Sequence, residues 1–203
     1  MTQAVVVITG VMAAGKSTIA QLLAEALPRS VHVRGDVFRR MIVSGRAEPE
    51  PDETTEATAQ LRLRYRISAA VADLYADAGW TAIVQDVILG PDLADFVAQV
   101  RTRPLHVVVL APEPSVVEAR EAARPKTGYG AWTVDALDHS LRVDTPRIGL
   151  WLDNSDETPE DTVRRILAAR KARRCGRPAG RHNGPCRAVR RRGRGPAVRA
   201  RSG

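Results

Sequence analysis

Residues 10 to 17 read Gly-Val-Met-Ala-Ala-Gly-Lys-Ser, a glycine, four residues, and then Gly-Lys-Ser. Glycines at this spacing let backbone N–H groups turn inward around a phosphate, and a helix starting just behind them adds a partial positive charge. Lys16 would reach the β- and γ-phosphates of a nucleotide, and Ser17 would place its hydroxyl on Mg2+. The plainer reading is a bare strand, turn and helix start. Every fixed position of G-x-x-x-x-G-K-[ST] is filled, however, with a valine-rich run before it and "KSTIAQLLAEAL" after it. One of only three lysines, against 28 arginines, stands in the lysine slot. The expected nucleotide contacts are Gly10, Ala13, Ala14, Gly15, Lys16, Ser17 and Thr18.

Carboxylates and guanidinium groups elsewhere could complete such a site. Asp36 follows an apolar run and opens a helical pattern, so it is either a helix cap or a group at the strand end bordering a ligand crevice. In the second case it can take the proton of a reacting hydroxyl. Asp86 ends "WTAIVQD" and could support Mg2+ from behind its ligands or orient a substrate. Arg120 and Arg124 lie four apart on one helix face, where they could clamp a transferring phosphoryl group or simply pair with Glu118 and Glu121. Lys126 sits just beyond, in "RPKTGYG". Arg62 and Arg66 share a helix face and are either solvated or able to read an anion. The four histidines show no ligand spacing and carry no assigned role.

The elements that must position these groups follow from periodicity. Apolar runs at 3–10, 30–35, 80–86, 104–111 and 147–153 suit strands buried on both faces of a parallel sheet. Helical patterns lie between them, near 16–27, 36–44, 55–78, 91–101, 113–123, 131–142 and 158–173. Pro91, Pro114 and Pro159 stand near three helix starts, where proline is tolerated. The alternation predicts a doubly wound α/β domain over 1–172.

A phosphate cradle could serve several kinds of protein. The guanine-reading N-K-x-D segment is absent, and Asp86 leads into Val-Ile-Leu-Gly rather than a D-x-x-G switch. A large motor needs more chain. On Gly10–Ser17, "VRGDVFRR" at 33–40, "IVQDVIL" at 83–89, "EAREAAR" at 118–124 and "LWLD" at 150–153, residues 3–170 resemble the small P-loop kinases and phosphotransferases. That group includes chloramphenicol phosphotransferase, adenylylsulfate, gluconate and shikimate kinases, and zeta toxins. The resemblance implies a P-loop NTPase three-layer sandwich with a parallel five-stranded sheet of order 2-3-1-4-5. It implies ATP and Mg2+ as cofactors and a small-molecule hydroxyl acceptor. It also implies Asp36 as catalytic base, lid arginines at Arg120 and Arg124, metal support from Ser17 and Asp86, and acceptor contacts from Asp36, Arg39 and Asp86. An antibiotic, a nucleotide or a sugar acid would each fit as acceptor. A zeta-type toxin kinase would share the same motifs.

The charge is unevenly spread. The net +8 conceals 18 basic against 23 acidic residues in 1–169, a net of −5, and 13 basic with no acidic residue in 170–203. That Arg-, Gly- and Pro-rich segment has no apolar periodicity, so 173–203 is expected to be a disordered basic tail. Without aromatic residues to stack bases it is expected to bind polyanions only nonspecifically, and no specific nucleic acid is expected. The acidic segment 45–57 is expected to border the acceptor and bias it toward neutral or cationic compounds, or to be a solvated loop. Cys175 and Cys186 make neither a zinc site nor a disulfide framework. No run approaches the roughly 20 apolar residues of a membrane span, so no membrane partner and a cytoplasmic setting are expected.

Overall fold

The computed structural model describes residues 3–47, 55–124 and 132–174. Five strands, β1 (Val5–Gly10), β2 (Ser30–Arg34), β3 (Thr81–Gln85), β4 (Leu105–Leu110) and β5 (Leu150–Leu152), form one sheet of order β2-β3-β1-β4-β5. All neighbouring pairs are parallel. This is the topology expected from the alternation and the family resemblance. The central strand β1 is wholly buried, as its unbroken apolar run requires.

Seven α-helices cover the described faces: α1 (Lys16–Glu25), α2 (Gly35–Arg40), α3 (Thr55–Asp77), α4 (Asp92–Gln99), α5 (Pro114–Ala122), α6 (Val134–His139) and α7 (Pro159–Arg174). Ile8, Ile19, Leu23, Ile83, Leu93, Phe96, Leu110 and Ile166 are fully buried between sheet and helices. Each such side chain stabilises the fold by about 1.5–3 kcal/mol relative to an exposed one. Helix α3 is roughly 35 Å long at 1.5 Å per residue, longer than any of the strands. Among the described residues, no helix is long and apolar enough to cross a membrane.

Some boundaries are tighter than the periodicity suggests. The last strand holds only three residues and starts after Gly149, whose φ of 84° lies outside strand geometry and where a Cβ would lie 2.3 Å from the Val107 carbonyl oxygen. The helical pattern at 131–142 divides into α6, capped by the Thr133 hydroxyl, and a π-helical turn at Ser140–Asp144. The Thr145 hydroxyl closes that turn on the Ser140 carbonyl and accepts from the Gly90 N–H. Helix α2 ends at Arg40, four residues short of the apolar pattern.

Candidate active site

The C-terminal ends of the strands bring the candidate residues to one edge of the sheet, the side on which open α/β sheets carry ligands. Strand β1 ends at Gly10, where β4 approaches so closely that a Cβ would lie 2.4 Å from the Leu110 carbonyl oxygen. The loop then turns through positive φ at Ala13 (60°) and Gly15 (90°). Gly15 is the N-cap of α1, and no side chain caps that terminus. The first-turn N–H groups, which have no partner inside the helix, are therefore left for a ligand. The side chain of Asn154, at the end of β5, anchors the loop by donating to the Ala14 carbonyl at 3.1 Å.

Lys16 is 6% exposed, and its Nζ donates to the Val11 carbonyl at 2.6 Å. Burial lowers its pKa from 10.5 to about 7; the Arg124 and Arg64 charges push the same way, and Asp86 opposes them. A buried cation of this kind is poised to accept a negative partner. The Ser17 hydroxyl donates to Gln85 Oε1 at 3.1 Å. Gln85 closes β3 one residue before Asp86, and only the parallel alignment of β1 and β3 brings it to the loop.

Asp86 is buried and held through Oδ1, which accepts from the Val87 N–H at 2.8 Å and from Arg64 Nη2 at 2.9 Å. Burial pushes its carboxyl up, against the opposing pull of Arg64, the Val87 N–H and Lys16. Its other oxygen lies over the start of α2, where a Cβ on Gly35 would come within 1.9 Å of it. Beside Arg64, Tyr65 donates to the Val87 carbonyl at 2.7 Å, and burial raises its pKa so that the phenol stays neutral.

Asp36 stands in the first turn of α2 but does not cap it; the N-cap is Arg34, without a side-chain bond. The Asp36 carboxylate, 44% exposed, pairs with Arg40 at 2.8 Å and lies 3.9 Å from Arg34. The arginine on this carboxylate is thus Arg40, while Arg39 is half-buried on the neighbouring helical position. Arg120 donates to the Asn154 carbonyl at 3.0 Å and to the Ser155 carbonyl at 3.4 Å, so it ties α5 to the loop after β5. Arg124 pairs with Glu121 at 3.1 Å, and its charge still reaches Lys16. Lys126 and residues 48–54 of the acidic segment lie outside the described residues.

Several buried polar atoms around this edge have no hydrogen-bond partner: Asp36 Oδ1, Asp86 Oδ2, Arg64 Nε, Arg120 Nη1 and Asn154 Oδ1. Buried groups of this kind are normally satisfied, so a cluster beside a phosphate cradle marks where a ligand would supply partners. Gln85, Asn154 and Arg64 belong to the site without any mark in the sequence pattern, where Arg62 and Arg66 are the arginines that share a helix face. An Asn or Gln at a strand end carries no local signal. Among the described residues, no group of three or more His, Cys, Asp and Glu side chains could hold a metal alone.

A family model described as an AAA domain matches residues 5–143. A UPF0200 protein of Aeropyrum pernix is 33% identical over 142 residues, which cover 69% of this chain and 75% of that protein. Among solved structures, the APS kinase of Mycobacterium tuberculosis in complex with AMPPNP and APS aligns with a TM-score of 0.63 at 20% identity, covering 84% of this chain and 98% of that one. The tunicamycin resistance protein of Deinococcus radiodurans aligns with a TM-score of 0.61 at 20% identity, covering 82% and 95%. At that identity the two structures show a shared fold, the P-loop kinase fold. The family match spans more than half of the chain, and the chain belongs to this P-loop family.

Proposed function

We propose, for this member of a P-loop family, an ATP-dependent phosphotransferase that moves the γ-phosphoryl group to a hydroxyl of a small molecule. The observation that carries the reading is the juxtaposition at one sheet edge of the uncapped α1 N-terminus and Lys16 with the unpartnered oxygens of Asp36 and Asp86. The first pair suits a phosphate chain. The two carboxylate oxygens accept hydrogen bonds and suit hydroxyl donors.

In this reading the loop N–H groups from Ala13 to Thr18 and Lys16 hold the phosphates in line with the acceptor. The Ser17 hydroxyl, positioned by Gln85, would hold Mg2+, which when bound neutralises charge on the phosphate oxygens. Asp86 is committed to Arg64, so its part is to support the site from behind and to offer Oδ2 to the acceptor. Asp36 accepts the proton of the acceptor hydroxyl as the hydroxyl oxygen bonds to the γ-phosphorus and the bond from that phosphorus to the β-phosphate oxygen breaks, with ADP leaving. Arg124, close enough to repel Lys16, is placed to cover charge that develops during transfer, and Arg120 holds the loop beneath it. Arg39 faces the acceptor from α2. An antibiotic is one acceptor class this reading admits, beside nucleotides and sugar acids, and a cytoplasmic setting is part of it.

The test is ADP release by the purified chain with ATP and Mg2+ against panels of antibiotics, nucleosides and sugar acids. Lys16→Ala is the control, checked for folding by circular dichroism. Acceptor-dependent turnover lost in Lys16→Ala supports the reading. Turnover retained in a folded Lys16→Ala protein rejects it. Growth arrest on expression would redirect it to a toxin.

A further inference from the structure

His32 stands on β2 in register with Ile83 of β3, so its side chain shares a sheet face with Gln85, two residues beyond Ile83. Helix α1 covers that face. Ser17 and Gln21, four residues apart on one side of α1, each meet one of the pair. Ser17 Oγ donates to Gln85 Oε1 at 3.1 Å, and Gln21 Oε1 lies 3.0 Å from His32 Nδ1. Two polar rungs thus join α1 to the sheet, and one of them ends on the hydroxyl next to Lys16.

The direction of each hydrogen bond follows from the far end. Gln21 Nε2 donates to Glu25 Oε1 at 2.9 Å, so the Gln21 oxygen faces His32 and Nδ1 carries the ring proton. Burial lowers the His32 pKa from its ordinary 6.5; the Arg34 charge adds to this, and Gln85 and Asp36 oppose it. The ring is therefore neutral at neutral pH, and Nε2 is an acceptor. That atom is buried and has no hydrogen-bond partner among the described residues. Gln85 is the polar group beside it, close enough to raise the His32 pKa though not bonded to Nε2 in the ligand-free protein.

The orientation of the Gln85 amide decides what Ser17 can do. With Oε1 toward Ser17 the hydroxyl proton is engaged, and the oxygen presents lone pairs to the phosphate loop. Turned over, the amide nitrogen would donate to that oxygen and leave the hydroxyl proton facing a cation. An acceptor behind the amide selects the first orientation, because it draws the nitrogen away from Ser17. An apolar side chain at 32 would fill the same space without that preference, and without the cost of desolvating an imidazole.

We propose that His32 is a positioning residue for the nucleotide-bound cation: by accepting from the Gln85 amide it fixes Gln85 Oε1 toward Ser17 and keeps the Ser17 oxygen open to Mg2+. This rests on the reading of Ser17 as a cation ligand and adds the group that orients it. Groups behind a metal ligand commonly change metal affinity by about 10–100-fold, and His32 acts one residue further back, so the low end is expected.

The experiment measures AMPPNP affinity by calorimetry in EDTA and at saturating Mg2+; the ratio is the cation coupling. Wild type is compared with His32→Phe, His32→Gln, Gln85→Leu and the double variant His32→Phe, Gln85→Leu. Circular dichroism checks folding, with His32→Leu as a second apolar variant. His32→Phe should lower the coupling by about tenfold with the affinity in EDTA unchanged. His32→Gln, which restores an acceptor, should recover most of it. In the double variant His32→Phe should add nothing to the loss from Gln85→Leu. A loss of equal size in EDTA would make His32 a tie between α1 and β2 and would overturn the proposal. So would unchanged coupling in His32→Phe, or additive losses in the double variant. Wild-type binding that is equal in EDTA and in Mg2+ would remove the reading of Ser17, and the proposal with it.

Discussion

Arg64 and Asp86 meet at 2.9 Å with side chains 12% and 4% exposed, so an ion pair is sealed between α3 and the end of β3. Removing one member of a buried pair leaves the other charge uncompensated, at a cost of about 3–5 kcal/mol. Arg64→Ala should lower stability by that order. Urea unfolding measures it, and a loss below about 1 kcal/mol would show the pair to be solvated.

Gly35 is required by the same carboxylate. Asp86 Oδ1 is fixed by Arg64 and the Val87 N–H, so Oδ2 cannot easily retreat from a Cβ that would come within 1.9 Å. Gly35→Ala should cost about 1–3 kcal/mol, as overpacking does. In a double-mutant cycle with Asp86→Ala the two effects should not add, since the clash disappears with the carboxylate. Full additivity would place the strain elsewhere.

Lys16 makes nucleotide binding depend on pH. In the ligand-free protein its pKa is about 7 against an ordinary 10.5, so between those values the unfolded chain binds more protons. This group's contribution to stability therefore rises with pH across that window, and the full cost of burying the cation is felt below pH 7. A phosphate chain beside Nζ restores the charge, so AMPPNP binding near pH 8 should take up close to one proton. Its affinity should fall by up to about tenfold per pH unit above 7. Calorimetry in two buffers of different ionisation enthalpy counts the proton; no uptake, or the same uptake in Lys16→Met, would contradict the assignment.

Asp36 is expected to act on the acceptor side. Asp36→Asn should lower turnover by about 10²–10⁴-fold, the usual size of general-base catalysis, with ATP affinity nearly unchanged. Stability should change little, because Asp36 is half exposed and does not cap α2. A tenfold loss of ATP affinity with near-normal turnover would place Asp36 on the nucleotide instead.

The phosphate loop and the sheet were legible in the sequence because their causes are local. Gly10, Gly15, Lys16 and Ser17 act within one turn of chain, and an unbroken run such as residues 5–8 already says that both faces of the strand are covered. The order β2-β3-β1-β4-β5 came from family resemblance and agrees with the structure, since no periodicity states which strands are neighbours. What the local sequence could not state was partnership across distance. The hydroxyl of Ser17 meets Gln85 68 residues later, and Ala14 is held by Asn154 140 residues away. Arg62, Arg64 and Arg66 look interchangeable along α3, yet packing sets the helix rotation that turns Arg64 to Asp86 and leaves Arg62 and Arg66 exposed. The sequence by itself determined the chemistry of the loop and the burial of the strands, through local backbone freedom and apolar pattern. Tertiary structure alone decided which distant charge stands beside which, because that depends on register and helix rotation rather than residue type.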